Sequence, residues 1–232
     1  MLERLLPKYV RFPLLMVILA NVVAFYVPGH FFLSDANRYD LSLFIDEALP
    51  CVPFFLLIYV LAYVQWISGY VFHCKDSVKL CYTIAVASII AKLLCLVCFI
   101  VLPTEITRSE VSGSGFFEWG TRFMYTIDKP INLFPSIHCL ESWLCFRGAM
   151  MLKRKNGCYI AAQGILAVLV FASTVLIKQH FFVDILGGIL VCEIGLFLAT
   201  KCKMWRFFNK VQTPSAKKWL AQQDKYSVEK GE

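Results

Sequence analysis

Residues 78–102 read VKLCYTIAVASIIAKLLCLVCFIVL, and Lys79 and Lys92 are the only charged residues among them. A helix needs about 20 predominantly apolar residues to cross the hydrocarbon core of a bilayer. This apolar run is continuous, whereas the strands of a membrane β-barrel alternate between apolar and polar residues. Because lipid offers backbone groups no water partner, the stretch predicts a membrane-spanning α-helix.

The rest of the chain repeats this pattern. Of its 232 residues, 59% are hydrophobic and 17% are charged, whereas soluble domains carry about 25% charged residues. Long apolar stretches occupy approximately residues 12–32, 49–72, 78–102, 136–152, 158–177 and 181–200. We therefore predict an all-α, polytopic membrane protein with six transmembrane helices in one bundle. Residues 1–232 are predicted to be a single membrane domain, with the bundle at about 1–200 and a basic cytoplasmic tail at 201–232.

Lysine and arginine are distributed unequally between the two sides of this bundle. Six spans place both termini on one side, and that side carries sixteen basic residues outside the spans against five on the other. Because positive loops stay in the cytoplasm, we predict cytoplasmic termini for a multi-pass protein of the cell membrane. The basic residues flank helices instead of forming one patch, so the net charge of +7 predicts no nucleic-acid partner.

The segment Asn132-Leu133-Phe134-Pro135-Ser136-Ile137-His138 opens the fourth stretch, on the non-cytoplasmic side. Pro135 suits the first position of a helix, where a backbone N–H is not needed. The free N–H groups at such a helix end bind anions. Ser136 adds a hydroxyl and His138 a proton donor, so the segment predicts a phosphate site at the membrane surface.

A second histidine occurs in Lys178-Gln179-His180-Phe181-Phe182-Val183-Asp184. His180 and Asp184 are four residues apart and share one helix face. A carboxylate there accepts the proton of one imidazole nitrogen and leaves the other nitrogen free to attack an electrophile. A lone histidine at a helix end is more often a polar anchor, and a metal site needs third and fourth ligands that the sequence does not offer. We therefore predict a catalytic pair and no metal.

Arg108 is the third candidate, in the long loop 103–135 on the same side of the membrane. Arginine suits phosphate because its planar fork stays charged and binds two oxygens. A loop arginine is otherwise simply solvated. We expect this loop to be irregular, with a short helix or two, because it contains Gly113, Gly115 and Gly120.

Together these residues resemble the type 2 phosphatidic acid phosphatase superfamily, over roughly residues 103–188. The family's Pro-Ser-Gly-His motif is similar to Pro135-Ser136-Ile137-His138. Its motif of Ser-Arg, five residues, His, three residues and Asp is similar to Ser173, His180 and Asp184. The family's first motif, a Lys followed after six residues by Arg-Pro, aligns its arginine with Arg108.

The resemblance implies a role for each residue. His180 is the expected nucleophile, Asp184 orients it, His138 protonates the leaving group, and Arg108 binds phosphate. The implied activity is that of an integral membrane lipid phosphatase that works through a phosphohistidine without a metal or other cofactor. The implied partners are membrane lipid and a lipid phosphate substrate such as phosphatidic acid, phosphatidylglycerophosphate or an isoprenoid pyrophosphate.

Four positions depart from the family pattern. Ile137 stands where the second motif has Gly, the lysine of the first motif would fall at Val101, its proline at Ser109, and the arginine of the third motif at Thr174. Two phosphate-binding cations are therefore missing, and Lys178 and Lys129 are the candidates to replace them. The predicted substrate-binding residues are Arg108, Ser136, Lys178 and Asn132.

Two other functions stay open. A His-His-Asp core without the full set of cations is also similar to lipid phosphotransferases such as sphingomyelin and inositol phosphorylceramide synthases. These enzymes pass a phospho-headgroup to a lipid hydroxyl instead of to water. A non-catalytic transporter or binding protein is the third hypothesis, and it predicts that His138 and His180 do not face one cavity.

Four more charged residues lie within the predicted spans: Lys92, Glu141, Arg147 and Glu193. A charge at membrane depth is costly without a partner. We therefore expect structural pairing, with Glu141 or Glu193 as the partner of Lys92 and with Arg147 close enough to the cytoplasmic face to reach it. Glu141 lies one turn from His138, so lining the site is the alternative for that residue.

Overall fold

The chain folds as a bundle of helices. The structure is a computed structural model that describes residues 7–28, 37–212 and 216–217. Its elements, in order, are α1 (Lys8–Val27), α2 (Phe44–Ala48), a 3-10 turn (Pro53–Phe55), α3 (Leu56–Asp76), α4 (Val78–Val101), α5 (Phe116–Ile127), α6 (Ile137–Met150), α7 (Gly157–Leu176), α8 (Phe182–Lys201) and α9 (Arg206–Val211). Within the described residues there is no β-strand, only two isolated bridges. The all-α prediction is confirmed.

Five described helices, α1, α3, α4, α7 and α8, are long and apolar enough to cross a bilayer. They correspond to five of the six predicted spans. The remaining predicted span, at 136–152, corresponds to α6, which has only 14 residues and falls short in length. It also carries Glu141 and Arg147. It packs against α3, α4, α7 and α8, and most of its side chains are buried. Protein surrounds α6 on several sides, which accommodates polar residues that lipid would not.

Local signals set where the helices begin. The side chains of Ser77, Ser136 and Asn156 accept backbone N–H bonds at the starts of α4, α6 and α7, as N-cap residues do. The second span begins at Leu56, later than the predicted residue 49, and Pro50 and Pro53 lie in the intervening segment. Proline lacks the N–H that a helix interior needs.

Most of the predicted basic tail lies outside the described residues.

The longest apolar helix, α4, lies at the centre of the bundle. It packs against α1, α3, α6 and α8, and its first three turns are almost wholly buried. The outward faces of the other spans keep large apolar side chains exposed, for example Val64, Val168 and Leu190. A helix that is apolar all round suits a membrane environment. The burial pattern therefore agrees with helices that face protein on one side and lipid on the other.

The loop 103–135 contains one helix, α5, as expected. Large apolar side chains are exposed along one face of α5, at Phe116, Trp119, Phe123 and Ile127. The helix packs on the 3-10 turn and on α3, where Gly120 lies close to Leu56. An exposed aromatic stripe on a short amphipathic helix is typical of a helix lying in the bilayer interface.

The charges within the bundle are paired. Lys92 Nζ lies 2.8 Å from Glu141 Oε1, and both side chains are almost fully buried. The same carboxylate accepts hydrogen bonds from Ser88 Oγ at 2.7 Å and Tyr70 OH at 3.0 Å. Glu141 is therefore the partner of Lys92. The expectation of structural pairing is confirmed for this pair.

Arg147 and Glu193 form the second pair. Arg147 Nε lies 3.0 Å from Glu193 Oε1, with side-chain exposures of 37% and 39%. Trp143 Nε1 donates to the same oxygen at 2.7 Å. All four charged residues thus have the structural partners that the cost of a charge at membrane depth requires.

We expect Glu141→Ala to destabilise the bundle by roughly 3–5 kcal/mol, because it leaves Lys92 buried without a counter-charge. The double variant Lys92→Met/Glu141→Leu should recover most of that loss, since no charge is then buried. Thermal unfolding of purified protein in detergent measures both. Glu105→Gln is the control, since the surface pair that Glu105 forms with Arg38 lies outside the spans and contributes about 1 kcal/mol or less. A single and a double variant of equal stability would contradict this account.

Candidate active site

The segment before α6 and the start of α8 approach each other closely. The backbone N–H of Ser136 donates to the carbonyl oxygen of Asp184 at 3.1 Å. A Cβ atom on Gly188 would lie 2.6 Å from the Ser136 carbonyl oxygen, and one on Gly187 would lie 2.6 Å from the Phe134 ring. Real Cβ atoms do not approach that closely, so glycine is required for this contact. The contact brings the two histidine segments together.

The imidazoles of His138 and His180 lie side by side. Their ring centroids are 6.1 Å apart, and both rings line one cavity of about 470 Å³. The phosphatase hypothesis predicts that the fold brings His138, His180 and Arg108 together; the two histidines meet in this cavity, whereas Arg108 is not among its lining residues. A non-catalytic protein was expected to keep them apart, so this arrangement argues against that hypothesis.

Asp184 holds His180 in the predicted manner. Its Oδ2 lies 3.2 Å from His180 Nδ1 and also accepts the Phe181 backbone N–H at 2.9 Å. The Asp184 side chain is fully buried, and its second oxygen has no hydrogen-bond partner. An ionised carboxylate only accepts hydrogen bonds, so the Nδ1 atom carries the proton. The Nε2 atom of His180 is therefore the one with a free lone pair.

His138 lies in an aromatic setting that the sequence analysis did not identify. Tyr59 stacks on its ring at a centroid distance of 4.3 Å, and the rings of Trp66 and Tyr63 lie at 5.1 and 6.0 Å. The Nε2 atom of His138 is buried and has no hydrogen-bond partner. The sequence did contain a signal for this aromatic setting, namely the spacing of Tyr59, Tyr63 and Trp66, which places them on one face of α3.

Arg108 lies behind the cavity wall and braces it. Its Nη1 donates to the carbonyl oxygens of Tyr125 at 3.2 Å and Asp128 at 2.6 Å, and its Nη2 donates to Gln179 Oε1. The guanidinium also lies over the Tyr125 ring. Burial lowers the pKa of Arg108 from its ordinary value, but a guanidinium stays protonated in proteins. Arg108 thus positions Asp128 and Gln179, both of which line the cavity.

Ser136 acts as the cap of α6. Its side chain is fully buried, and its Oγ accepts the Cys139 backbone N–H at 3.4 Å. The prediction that Pro135 occupies the first helical position is wrong, because helix α6 begins at Ile137. Serine is a strongly preferred N-cap residue, which places Pro135 one position before the cap. The hydroxyl predicted to contact phosphate is thus engaged by the backbone.

The remaining polar candidates are divided between two cavities. Asn132 and Lys129 line the histidine cavity, and Asn132 Oδ1 is buried without a hydrogen-bond partner. Lys178 donates instead to the carbonyl oxygens of Asp46 at 2.7 Å and Leu49 at 2.6 Å. It lines a second cavity of about 360 Å³, which it shares with His180. Of the two lysines considered as replacements for the missing cations, Lys129 is the one in the histidine cavity.

The two cavities differ in character. The second cavity is polar, with Asp40, Ser42, Asp46, Glu47, Thr107 and Ser109 among its lining residues. The histidine cavity has several apolar walls, supplied by Phe25, Phe99, Met124, Ile127, Leu133 and Ile137. His180 borders both cavities. An apolar cavity with a few convergent polar groups is typical of a binding site for a small amphiphilic ligand.

A sequence profile of the PAP2 superfamily matches residues 44–198. The match covers more than half of the chain and includes Arg108 and both histidine segments. The chain therefore belongs to the PAP2 superfamily, and membership supports a phosphatase-type function on a lipid or another phosphoester. Comparison with curated proteins returned no match, and neither did comparison with solved structures.

We expect Gly188→Ala to reduce activity strongly, because its new Cβ atom must displace the Ser136 carbonyl and with it the start of α6. Gly157→Ala is the matched control, since a Cβ atom there meets nothing within 4 Å. The control should keep its activity and its stability to within about 1 kcal/mol. Turnover and thermal unfolding of both purified variants test this. Full activity of Gly188→Ala would show that the close contact is not needed.

Proposed function

We propose that this protein is an integral membrane phosphatase that removes phosphate from a lipid phosphomonoester or pyrophosphate through a phosphohistidine on His180. Candidate substrates are phosphatidic acid, phosphatidylglycerophosphate and isoprenoid pyrophosphates. The observation that carries the proposal is the pairing of two imidazoles, 6.1 Å apart, in one cavity. Apolar cavity walls support a lipid as the substrate.

The proposed reaction has two steps. In the first, His180 Nε2 attacks phosphorus while Asp184 accepts the hydrogen bond from Nδ1 and stabilises the positive ring. The bond to the leaving oxygen breaks, and His138 gives that oxygen its Nε2 proton. In the second step, water attacks the phosphohistidine and His138 takes a proton from the water. Inorganic phosphate is released, and both histidines regain their starting states.

Charge on the phosphoryl oxygens needs stabilisation in both steps. Lys129 and Asn132 are the proposed contacts, since both line the histidine cavity. Arg108 is proposed to contribute positive charge from behind the wall of the histidine cavity, and Lys178 from the second cavity, which also borders His180. Protein groups alone supply this stabilisation in the proposed reaction, which therefore needs no metal.

The apolar walls also favour a second candidate. A lipid alcohol in the histidine cavity is positioned to replace water in the second step, which would make the protein a phosphotransferase. The same histidines serve both reactions. Product analysis separates them, because hydrolysis releases inorganic phosphate and transfer produces a new phospholipid.

We further propose that the site opens on the non-cytoplasmic side of the membrane. His138 lies in the first turn of α6 and His180 just precedes α8, so both lie at the end of the bundle opposite Lys75, Lys79 and the basic turn 153–155. The side with more lysine and arginine stays in the cytoplasm. The loop that holds Arg108 then faces away from the cytoplasm.

We expect His180→Ala to abolish both the phosphoenzyme and turnover on every substrate, since it removes the nucleophile. His138→Ala should lose roughly 100- to 10,000-fold on an alkyl phosphate, whose leaving group needs a proton. It should be partly rescued on an aryl phosphate, whose leaving group does not. The turnover of Asp184→Asn should fall between those of the two histidine variants, because the substitution disturbs the tautomer of His180 but keeps the attacking ring.

Turnover of the purified variants on aryl and alkyl phosphates measures these effects, and a chelator tests metal dependence. The covalent histidine mechanism is wrong if His180→Ala keeps near-normal turnover. It is also wrong if a chelator stops the enzyme and the histidine substitutions do not. A panel of phospholipids and isoprenoid pyrophosphates identifies the substrate class.

We expect Ser112→Cys to react with a membrane-impermeant thiol reagent in intact cells, because Ser112 is an exposed residue of the loop that follows Arg108. The native Cys158 provides an internal reference, since it is exposed at the opposite end of the bundle. It should react only after lysis. Labelling of Cys158 in intact cells, with protection of residue 112, would invert the proposed orientation.

A further inference from the structure

Tyr59 connects His138 to a carboxylate that lies outside the family motifs. The Tyr59 hydroxyl lies 3.4 Å from His138 Nδ1 and donates to Asp128 Oδ2 at 3.2 Å. The Tyr59 side chain is buried, and its ring stacks on the imidazole. Asp128 ends α5, and its carbonyl oxygen accepts the Arg108 hydrogen bond at 2.6 Å. The three side chains thus form a chain from a braced carboxylate to the ring.

The direction of the hydrogen bonds follows from what each group can do. The single hydroxyl proton of Tyr59 goes to Asp128, because an ionised carboxylate only accepts. The Tyr59 oxygen is then an acceptor for His138, so the Nδ1 atom must carry a proton. This leaves Nε2, the nitrogen without a partner, as the one that exchanges protons in the cavity. A contact of 3.4 Å is long, but catalytic hydrogen bonds often tighten only when substrate binds.

We propose that Asp128 and Tyr59 are positioning residues that hold the proton of His138 on Nδ1 and present Nε2 to the leaving group. This inference rests on the proposed function of His138 as the acid and base. The first step begins with His138 protonated on both nitrogens, so the ring becomes neutral, with the Nδ1 proton still in place, when Nε2 gives its proton to the leaving oxygen. The bare Nε2 is then ready to take a proton from water in the second step.

The site therefore contains two carboxylate-backed histidines. Asp184 contacts His180 directly, whereas Asp128 acts on His138 through Tyr59. The other titratable groups close to His138 are His180, Tyr63 and the residues that line the same cavity, Lys129 among them. Only the hydroxyl of Tyr59 forms a hydrogen bond with the His138 ring in the described part of the chain.

Tyr59→Phe tests the relay, because it removes the hydroxyl and keeps the stacked ring. In single-turnover measurements of the first step, we expect phosphoenzyme formation from an alkyl phosphate to slow roughly 10- to 100-fold, part of the contribution that acid–base catalysis makes. Phosphoenzyme formation from an aryl phosphate should stay within about threefold, because its leaving group needs no proton from His138. Asp128→Asn should change the ratio of the two rates in the same direction. A merely structural role would slow both substrates alike.

Tyr70→Phe is the matched control. The substitution also removes a hydrogen bond from an α3 tyrosine to a carboxylate, because the Tyr70 hydroxyl donates to Glu141 Oε2 at 3.0 Å. Tyr70, however, lies outside the site. Its ratio of phosphoenzyme formation rates on the alkyl and aryl phosphates should equal that of the unmodified protein. A loss of stability shared by both variants is thereby separated from a loss of proton transfer.

Nitrogen-15 spectra of the histidine rings provide a readout that does not depend on catalysis. The His138 signal, assigned by its loss in His138→Ala, should show a protonated Nδ1 that is lost or mixed in Tyr59→Phe. An unchanged spectrum together with an unchanged rate ratio in Tyr59→Phe and Asp128→Asn overturns the relay. If no phosphohistidine forms in the unmodified protein, the proposed function fails, while the spectra still decide whether the relay exists.

Discussion

The close contact between the start of α6 and the start of α8 is the constraint on which the site depends. The site needs both histidine segments, and these are separated in the chain by all of α7. One backbone hydrogen bond, from Ser136 to Asp184, and a pair of adjacent glycines bring both histidines to one cavity. The interior is close-packed, so a displacement of one helix there is transmitted to the other. The geometry of the histidine pair and the packing of the two helices are thus one property of this bundle.

The sequence was sufficient to predict the elements that depend on local pattern. The continuous apolar stretches identified the five described helices that are long enough to cross a membrane, whereas the stretch at 136–152 forms a shorter helix. The spacing of four residues identified the contact between His180 and Asp184. The expected partner of Lys92 was one of two carboxylates, Glu141 or Glu193, because a buried charge needs a partner of opposite charge. These inferences succeed because they rest on helix periodicity and on the cost of an unpaired charge in lipid.

The remaining features depend on tertiary contacts that a sequence does not display. Tyr59 and Asp128 are 69 residues apart in the chain and meet only because α5 folds back onto the start of α3. The capping role of Ser136 and the bracing role of Arg108 were missed for a similar reason. A hydroxyl or guanidinium that suits phosphate suits backbone oxygens and N–H groups equally well, and only the fold decides which partner it meets.

The position of His180 between two cavities has a consequence for the fate of the products. Under the proposed reaction, the phosphoryl group is held at a boundary, with an apolar chamber on one side and a polar chamber on the other. The dephosphorylated lipid is free to return to the bilayer, while the inorganic anion has an aqueous way out. The carboxylates of Asp40 and Glu47 border that route and disfavour retention of an anion. The two products are thereby sorted by solubility, and neither obstructs the departure of the other.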